Sequence, residues 1–475
     1  MKRYLSISTT MLLIFGFVAC KKFVQLDPPD DRLNYSTAYS TNTSATSVLN
    51  GLYIRIMESA TVFSPNSTTY LSTAGDEMKS FFISPTSIYS NLYRNEILPV
   101  NELYWSSTYT LIYHCNAAIE GLEESNTINS GLKQQLIGEA KFMRAFCYFY
   151  LVNTYGGVPL LTSPDYRVNA TAPRADVSAV YAQMITDLTD AKSKLSRDFL
   201  KGDAMTAYPV GSSERVRPTF WAASALLSRV YLYNRRWAEA DIESSAVINN
   251  AGMFSLVSPA QVFQKNSRES IFQMEAVSAI NYSLPEARLF VLSTSVGTSS
   301  FPIAMSNQLI QAFEVNDQRR VNWVGNVTIG GVPYQFPYKY KANTAASAIS
   351  KPEYLSLLRL GEQYLIRAEA RLQQNNLSGA LADVNTIRSR AGLSNTTASS
   401  QNAIFEAILK ERQTELFCEQ GHRWFDLKRT GKLDEVMTSI APTKGSQWAS
   451  YKQLFPIPTS DIIANPSLIQ NPGYN

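Results

Sequence analysis

Residues 404–433 read IFEAILKERQTELFCEQGHRWFDLKRTGKL and combine a helical apolar stripe with a dense set of charges. Ile404, Ile408 and Leu409 recur at helical spacing, which predicts a helix packed along one face. Gly421 then predicts a break before a second cluster of ions and rings. Charged side chains within a packed helix need partners, so this stretch constrains how the surrounding chain folds.

The charges of this stretch have two interpretations. Carboxylates held in different environments could perform acid/base chemistry. Alternatively, Arg412 and Arg423 could neutralise half-buried carboxylates in a structural ion-pair network. The acids all have basic neighbours in sequence, which favours the structural interpretation. The predicted structural set is Glu411, Arg412, Glu415, Arg423, Trp424 and Asp426.

The motif ERQTELFCEQGHRWFDLKRTG within this stretch resembles the C-terminal signature of the SusD/RagB family. The final segment, LFPIPTSDIIANPSLIQNPGY, resembles the closing segment of that family, and LRLGEQYLIRAEARL and CKKFVQLDPP are also similar to it. The resemblance implies a nutrient-binding outer-membrane lipoprotein that acts with a SusC-like TonB-dependent transporter. It implies a glycan or oligosaccharide as the cargo, with a peptide as the alternative.

The composition suits a large folded protein with a polar surface. The chain has 475 residues, of which 45% are hydrophobic, so it can bury a sizeable core. Charged residues make up 17%, below the roughly 25% usual for soluble domains, and this favours neutral polar ligands. The formal net charge is +4 without a basic stripe, which argues against nucleic acid as a partner.

The N-terminus predicts export and membrane attachment. Residues 1–19 are predicted to be a signal peptide, because basic residues precede the short apolar run 11–19. Cys20 follows at the position of the acylated cysteine in bacterial lipoprotein signals, and residues 20–47 are predicted to be a lipidated tether. An ordinary signal peptide with an incidental cysteine is the alternative. We therefore expect a lipid-anchored protein of the outer membrane, exposed at the cell surface.

Helical periodicity predicts a mainly α protein built from tetratricopeptide-like hairpins within a single SusD-like domain, residues 48–475. Arg144, Arg229 and Arg367 occupy similar places in three first helices, yet their unequal spacing excludes a regular repeat array. Long loop-rich insertions must therefore separate the hairpins. The predicted framework segments are residues 100–160, 215–252, 353–392 and 402–433, and the predicted insertions are residues 61–105 and 276–352.

These insertions are the predicted ligand side, because binding residues concentrate on loops held by a rigid scaffold. Sugars present apolar C–H faces and outward hydroxyl groups, so a glycan site needs exposed rings beside polar groups. The candidate ligand-binding residues are Phe81, Phe82, Tyr89, Tyr93, Asn91, Arg94, Asp76, Asn322 and Trp323. They are chosen on composition alone.

A short β-hairpin is predicted in the second insertion. Gly330 and Gly331 precede a row in which Tyr334, Phe336 and two further tyrosines alternate with other residues. An aromatic row of period two usually packs on a core, because rings stabilise strands through burial. We therefore do not assign this row to the ligand.

Catalytic motifs are scarce in the sequence. It has two histidines and no GxSxG, P-loop, HExxH or dinucleotide fingerprint. Asp76 and Glu77 are adjacent acids, but a glycosidase pair would need another carboxylate from elsewhere. The cysteines form no CxxC motif that would indicate zinc. We expect a binding protein without cofactor or metal, with a surface glycoside hydrolase or a protein-only helical-repeat scaffold as the less favoured alternatives.

Overall fold

The computed structural model describes residues 35–58, 61–209, 211–277, 283–342 and 352–474. Cys20, the signal peptide and much of the tether lie outside the described residues. The helices of the first half are α1 Tyr35–Ala38, α2 Asn42–Glu58, α3 Asn66–Ala74, α4 Ile88–Tyr93, α5 Trp105–Glu124, α6 Ser130–Tyr155, α7 Tyr166–Asn169, α8 Val177–Lys194, α9 Phe220–Tyr233 and α10 Trp237–Ile248.

The second half continues with shorter helices around a long helical hairpin. Its helices are α11 Pro285–Phe290, α12 Asn307–Ile310, α13 Gln318–Trp323, α14 Leu360–Gln373, α15 Leu377–Arg390, α16 Gln401–Glu415, α17 His422–Arg429, α18 Leu433–Ile440 and α19 Thr459–Ala464. Short 3₁₀ turns lie at Pro259–Gln261, Ala441–Lys444 and Ser450–Gln453.

The long helices form a continuous row, which confirms the predicted helical framework. α5 packs on α6, α6 on α8, α8 on α9, α9 on α10, and α10 on α14, which packs on α15 and α16. Ala140, Ala222 and Ala368 are fully buried in this row, so their small side chains allow neighbouring helices to approach closely. The segment predicted as residues 100–160 did not include α8, which is the main packing partner of α6.

Buried ion pairs recur at matching places along the row. Arg144 of α6 pairs with Asp187 of α8 at 2.6 Å, and Arg367 of α14 pairs with Asp383 of α15 at 2.6 Å. In both cases the first helix of a pair supplies the arginine and the second helix supplies the aspartate. Arg229 of α9 differs, because it reaches Glu362 of α14.

The first insertion contains two helices that the sequence did not predict. α3 has the polar sequence NSTTYLSTA, yet most of its residues are buried. Two of its hydroxyl groups donate within the helix: Ser72 Oγ to the carbonyl oxygen of Thr68, and Thr73 Oγ1 to the carbonyl oxygen of Thr69 at 2.6 Å. Internal hydrogen bonding of this kind lets a polar helix enter the interior, and it leaves no apolar period in the sequence.

The strands form two-stranded antiparallel pairs in the described part of the chain. They are β1 Met78–Ser80 with β5 Ile303–Met305, β2 Val158–Pro159 with β3 Arg174–Ala175, β4 Ser270–Met274 with β8 Leu355–Arg359, and β6 Val324–Ile329 with β7 Val332–Pro337. β6 and β7 form the predicted hairpin, turning through Gly330 and Gly331, which both have positive φ. β1–β5 and β4–β8 join segments that are distant in sequence, and β1–β5 ties the two insertions together.

A candidate ligand cavity between the two insertions

A cavity of about 520 Å³ lies where the two insertions meet the segment that follows α18. Both insertions contribute to its wall, together with residues 440–444. The lining residues are Asp76, Met78, Lys79, Phe81, Tyr93, Ala304, Met305, Ser306, Asn307, Gln308, Ile310, Asn326, Val332, Pro333, Tyr334, Gln335, Ile440, Thr443 and Lys444.

Backbone pairing fixes the relative positions of the walls. Lys79 lies opposite Ala304 in the β1–β5 pair, so strands more than 200 residues apart in sequence are joined beside the cavity. The β6–β7 hairpin packs against β5 and brings Tyr334 to the same opening. The cavity is therefore built on regular backbone hydrogen bonding and not on unsupported loops.

Half-buried aromatic rings form one part of the lining. The rings of Phe81 and Tyr334 meet edge to face, with centroids 5.2 Å apart. Lys79 Nζ lies 5.0 Å from the centroid of the Phe81 ring, which places a cation beside this pair. The hydroxyl group of Tyr93 donates to the carbonyl oxygen of Thr443 at 3.4 Å. Partly exposed rings of this kind can stack on the apolar face of a ligand.

Amide side chains form the polar part of the lining. Asn307, Gln308, Asn326 and Gln335 all border the cavity. Gln335 Nε2 donates to Asn326 Oδ1 at 2.8 Å across the hairpin, which orients both groups. Amides both donate and accept hydrogen bonds, so these residues match the hydroxyl groups of a neutral polar ligand.

The charged groups at the base of the cavity are already paired. Asp76 is buried and receives three hydrogen bonds from Arg423, with a closest distance of 2.7 Å. Burial opposes ionisation of this carboxyl group, but Arg423 holds its pKa below the usual range. Lys444 Nζ donates to the carbonyl oxygens of Ala74 and Gly75 at 2.8 and 2.6 Å, and burial lowers its pKa to about 7.

Glu77 is the second acid of the predicted adjacent pair, and it lies in the interior. Its Oε1 accepts a hydrogen bond from the backbone N–H of Cys418 at 3.0 Å. Burial, reinforced by the negative charge of Asp76, raises the pKa of Glu77 to about 8. The two acids therefore differ in ionisation, but Asp76 is held by an arginine and Glu77 does not line the cavity.

Three of the predicted ligand residues line the cavity: Asp76, Phe81 and Tyr93. The others lie elsewhere. The ring of Tyr89 packs edge to face on Tyr70, and Asn91 is buried and donates to the carbonyl oxygen of Pro85. Arg94 pairs with Glu96, Asn322 donates to the carbonyl oxygen of Gln318, and Phe82 is half-buried outside the lining.

Trp323 was predicted to lie at the ligand surface, but it is buried. Only 1% of the residue is exposed, and its indole N–H donates to the carbonyl oxygen of Pro259 at 2.7 Å. Its ring packs on Phe263 and Phe417. Trp323 therefore belongs to the core, because burial of its large ring and satisfaction of its N–H are achieved together there.

Several lining residues were not predicted from the sequence. Tyr334 was assigned to a core-facing aromatic row, but the row divides: Phe336 and Tyr340 are buried while Tyr334 is half-buried at the cavity. Its position close to the Gly330–Gly331 turn was the available signal, since residues near a hairpin tip lie far from the core. Lys79 and the four amides carried no comparable signal.

The predicted ion-pair motif lies beneath this region. Five of its six members are buried, and Arg423 is half-buried. Glu411 pairs with Arg319 and Arg388, each at 2.7 Å. Glu415 pairs with Arg359 at 2.5 Å. Burial alone would raise the pKa of Glu415, but the surrounding arginines hold it well below its usual range.

The partners within this motif differ from those expected from sequence. Arg412 pairs with Asp426 inside the motif, at 2.7 Å. Arg423 pairs with a residue outside the motif, Asp76 of the first insertion. Glu411 and Glu415 are neutralised by arginines from other segments of the chain. Neighbouring residues in sequence point in different directions from a helix, so the fold selects more distant partners.

The described residues contain no cluster of metal ligands. No group of three or more His, Cys, Asp or Glu side chains in this part of the chain could hold a metal ion. Among the same residues, none of the helices is long and apolar enough to cross a membrane.

A row of paired helices whose insertions enclose a ring- and amide-lined cavity defines a helical-repeat binding protein. Two family models match the sequence: "SusD family" over residues 303–474 and "Starch-binding associating with outer membrane" over residues 29–232. The chain belongs to the SusD family. This confirms the resemblance found in the C-terminal motifs.

Similar proteins cover most of the chain. SusD-like protein P25 of Formosa agariphila is 23% identical, with 98% of each chain aligned. The starch-binding protein SusD of Bacteroides thetaiotaomicron is 36% identical over 124 residues, which cover 25% of this chain and 21% of that protein. A solved structure described as a laminarin-binding SusD-like protein superposes with a TM-score of 0.74 at 23% identity, covering 92% of this chain and all of the other.

Proposed function

We propose that this protein is a cell-surface lipoprotein that captures a neutral glycan or oligosaccharide in the cavity between its insertions. It then delivers the glycan to a SusC-like TonB-dependent outer-membrane transporter. The observation that carries the proposal is the lining of the 520 Å³ cavity, in which half-buried rings lie beside amide side chains. A volume of this size accommodates a few sugar units in a concave site.

The chemistry of the cavity favours a neutral sugar over an ionic ligand. Phe81 and Tyr334 offer ring surfaces for the apolar C–H faces of a sugar, and Gln335 and Asn326 offer donors and acceptors for its hydroxyl groups. Asp76 and Lys444 also border the cavity, but each is already engaged by protein groups. Lys79 is the one lining charge without such a partner among the described residues, and it lies over the Phe81 ring, so most of the lining is neutral.

Relatives support the same class of ligand. The names of two similar proteins refer to starch and to laminarin, which are both neutral glucans. The family description adds association with the outer membrane, in agreement with a lipid at Cys20. Delivery to a transporter rests on the family resemblance.

A glycan and peptide array read by direct binding identifies the ligand, and calorimetry on point variants then tests its placement. We expect Phe81→Ala and Tyr334→Ala each to weaken binding about tenfold, close to 1.4 kcal/mol, because each removes one stacking surface. Tyr166→Ala is the control, because Tyr166 is 76% exposed and does not line the cavity.

Unchanged affinity in both cavity variants, with their melting curves intact, would place the ligand elsewhere. Binding only to peptides on the array would instead favour a peptide-uptake subunit. Retention of a transporter partner without any glycan or peptide binding would favour a protein-only scaffold. Release of shortened glycans by the wild-type protein would favour the hydrolase alternative.

A further inference from the structure

A second cavity, of about 440 Å³, lies beside the C-terminal end of α10 and shares no lining residue with the first. It is bordered by the segment that precedes α9 and by the loops that follow α10. Two arginines, Arg215 and Arg268, line it, together with serine and asparagine side chains. The lining therefore differs in character from the ring- and amide-lined cavity described above.

Arg215 is a buried cation with an incomplete set of partners. Only 6% of the residue is exposed, and its Nη1 and Nη2 donate to the carbonyl oxygens of Ser270 and Met253 at 2.7 and 3.1 Å. Its buried Nε has no hydrogen-bond partner among the described residues. The guanidinium group lies 4.7 Å from the centroid of the Phe199 ring and 5.4 Å from that of Phe254, which fixes its orientation.

The charge of Arg215 also lacks a protein counterion in the described part of the chain, where no carboxylate oxygen lies within 4 Å of it. Burial, together with the nearby charge of Arg268, lowers the pKa of Arg215 to about 10. Asp198 borders the same cavity but is exposed. Glu214, the residue before Arg215, is engaged by Lys265 at 2.5 Å.

The other arginines of this interior have partners of opposite charge. Arg144, Arg229 and Arg367 each reach a carboxylate within 2.7 Å. A buried unpaired charge is costly, and proteins normally neutralise it. Arg215 is an exception, and it lines a cavity large enough for a small group. Arg268 lines the same cavity.

Arg268 is held in place by the protein backbone. Its Nη2 donates to the carbonyl oxygens of Ala251 and Gly252 at 3.0 and 3.1 Å, and its Nε donates to Ser255 Oγ at 3.1 Å. Its Nη1 donates to no described residue. A fixed guanidinium group of this kind is suited to bind an oxyanion with little loss of side-chain entropy.

We propose that this cavity binds an oxyanion, the sulfate, phosphate or carboxylate group of a ligand, between Arg215 and Arg268. The bound group supplies the counterion that Arg215 lacks. The inference does not depend on the proposed glycan cavity, because the two sites share no residue. A free inorganic anion and an acidic sugar offer the same chemistry, so the experiment includes both.

The test measures binding by calorimetry with the full-length protein in detergent, at constant ionic strength with chloride as the background anion. The probes are inorganic sulfate, inorganic phosphate and glucuronate, with glucose as the neutral counterpart of glucuronate. We expect wild-type protein to bind at least one of the three anions but not glucose at this site. Arg268→Gln should weaken that binding about tenfold or more, because it removes one charged donor.

Arg236→Gln is the matched control, because it makes the same change of charge at an exposed arginine. Arg236 immediately precedes α10 and pairs with Glu239 in its first turn. Its anion affinity should equal that of wild type. Melting temperatures provide the second readout: sulfate stabilises proteins in general, and that effect cancels in the difference between variants. Arg268→Gln should lose the additional anion-dependent increase, and Arg236→Gln should keep it.

The outcomes separate the ligand sources. Binding of sulfate or phosphate indicates a site for an inorganic ion or an ester of either acid, and binding of glucuronate alone indicates a site for a carboxylated sugar. Both support the proposal when they depend on Arg268. Equal anion affinity in wild type and Arg268→Gln, or no anion binding by the wild type, overturns it.

Discussion

Glu77 illustrates how one buried carboxyl group makes stability depend on pH. Its pKa is raised from 4.5 to about 8, so the folded protein holds this proton more tightly than the unfolded chain does. The stabilisation from the bound proton is complete below the unfolded pKa and is lost as pH rises through about 8. Stability should therefore fall over this interval.

Replacing Glu77 by Gln tests this expectation. The amide oxygen can still accept the hydrogen bond from the N–H of Cys418, but it does not titrate. We expect the two proteins to melt at similar temperatures near pH 5 and Glu77→Gln to melt at a higher temperature near pH 8.5. Other buried groups, such as Lys444, are present in both proteins and cancel in the difference. Parallel melting curves from pH 5 to 8.5 would contradict the assigned pKa.

At the scale of single residues, the sequence indicated chemistry better than geometry. It predicted ion pairs for Glu411 and Arg412 because charges in a packed helix require neutralisation. It could not identify their partners, because Arg319 lies 92 residues from Glu411. The same limit applies to Trp323: its local sequence gave no sign of burial, and packing against Phe263 and Phe417 from distant segments buries it.

At the scale of elements, Gly421 fixes the junction between α16 and α17. Its φ is +76°, a region that disfavours side chains, and an added Cβ would overlap the side chain of Leu71 in α3. The glycine therefore allows a helix of the first insertion to pack against the start of α17. Gly431, which follows α17, has a similar φ of +73° but no neighbour within 4 Å of an added Cβ.

Substitutions at Gly421 and Gly431 distinguish the cost of backbone strain from the cost of a steric overlap. We expect Gly431→Ala to lower the free energy of unfolding by about 1 kcal/mol, which is the cost of the left-handed conformation. Gly421→Ala should lower it by about 2 kcal/mol or more, because overlap with Leu71 adds to the strain. Urea denaturation of both variants measures the difference. Equal losses would show that α3 tolerates the extra methyl group.

The helical elements differed in how readily they could be predicted. The framework helices have apolar stripes, because they bury one or more faces against neighbouring helices, and the sequence revealed all of them except α8. α3 is buried through hydroxyl groups that bond to its own carbonyl oxygens, so its sequence resembles a loop. The β1–β5 and β4–β8 pairs join distant segments, and no local pattern encodes such pairing.

At the scale of the whole molecule, Arg359 joins three parts of the chain. It is the last residue of β8 and pairs with Glu269 at 3.1 Å, Glu415 at 2.5 Å and Glu419 at 2.8 Å. We expect Arg359→Met to lower the free energy of unfolding by about 3 kcal/mol, because it leaves buried carboxylates with fewer partners. Arg236→Gln should change it by less than about 0.5 kcal/mol, since surface pairs contribute little.

Chemical denaturation of the two variants provides the measurement for this prediction. A loss below about 1 kcal/mol in Arg359→Met would mean that Arg390, Arg319 and Lys339 neutralise the three carboxylates without it. A similar loss in Arg236→Gln would mean that charge alone, and not burial, sets the cost.

The bond between Asp76 and Arg423 has a further consequence for the order of events during synthesis. Its partners are 347 residues apart, so the cavity base cannot close until nearly the whole chain is available. Synthesis starts at the N-terminus, so Asp76 stays unpaired by Arg423 until the chain reaches that residue. Long-range contacts of this kind form late. For a protein exported through a membrane before it folds, as the proposed lipoprotein route requires, this delay keeps the chain competent for translocation.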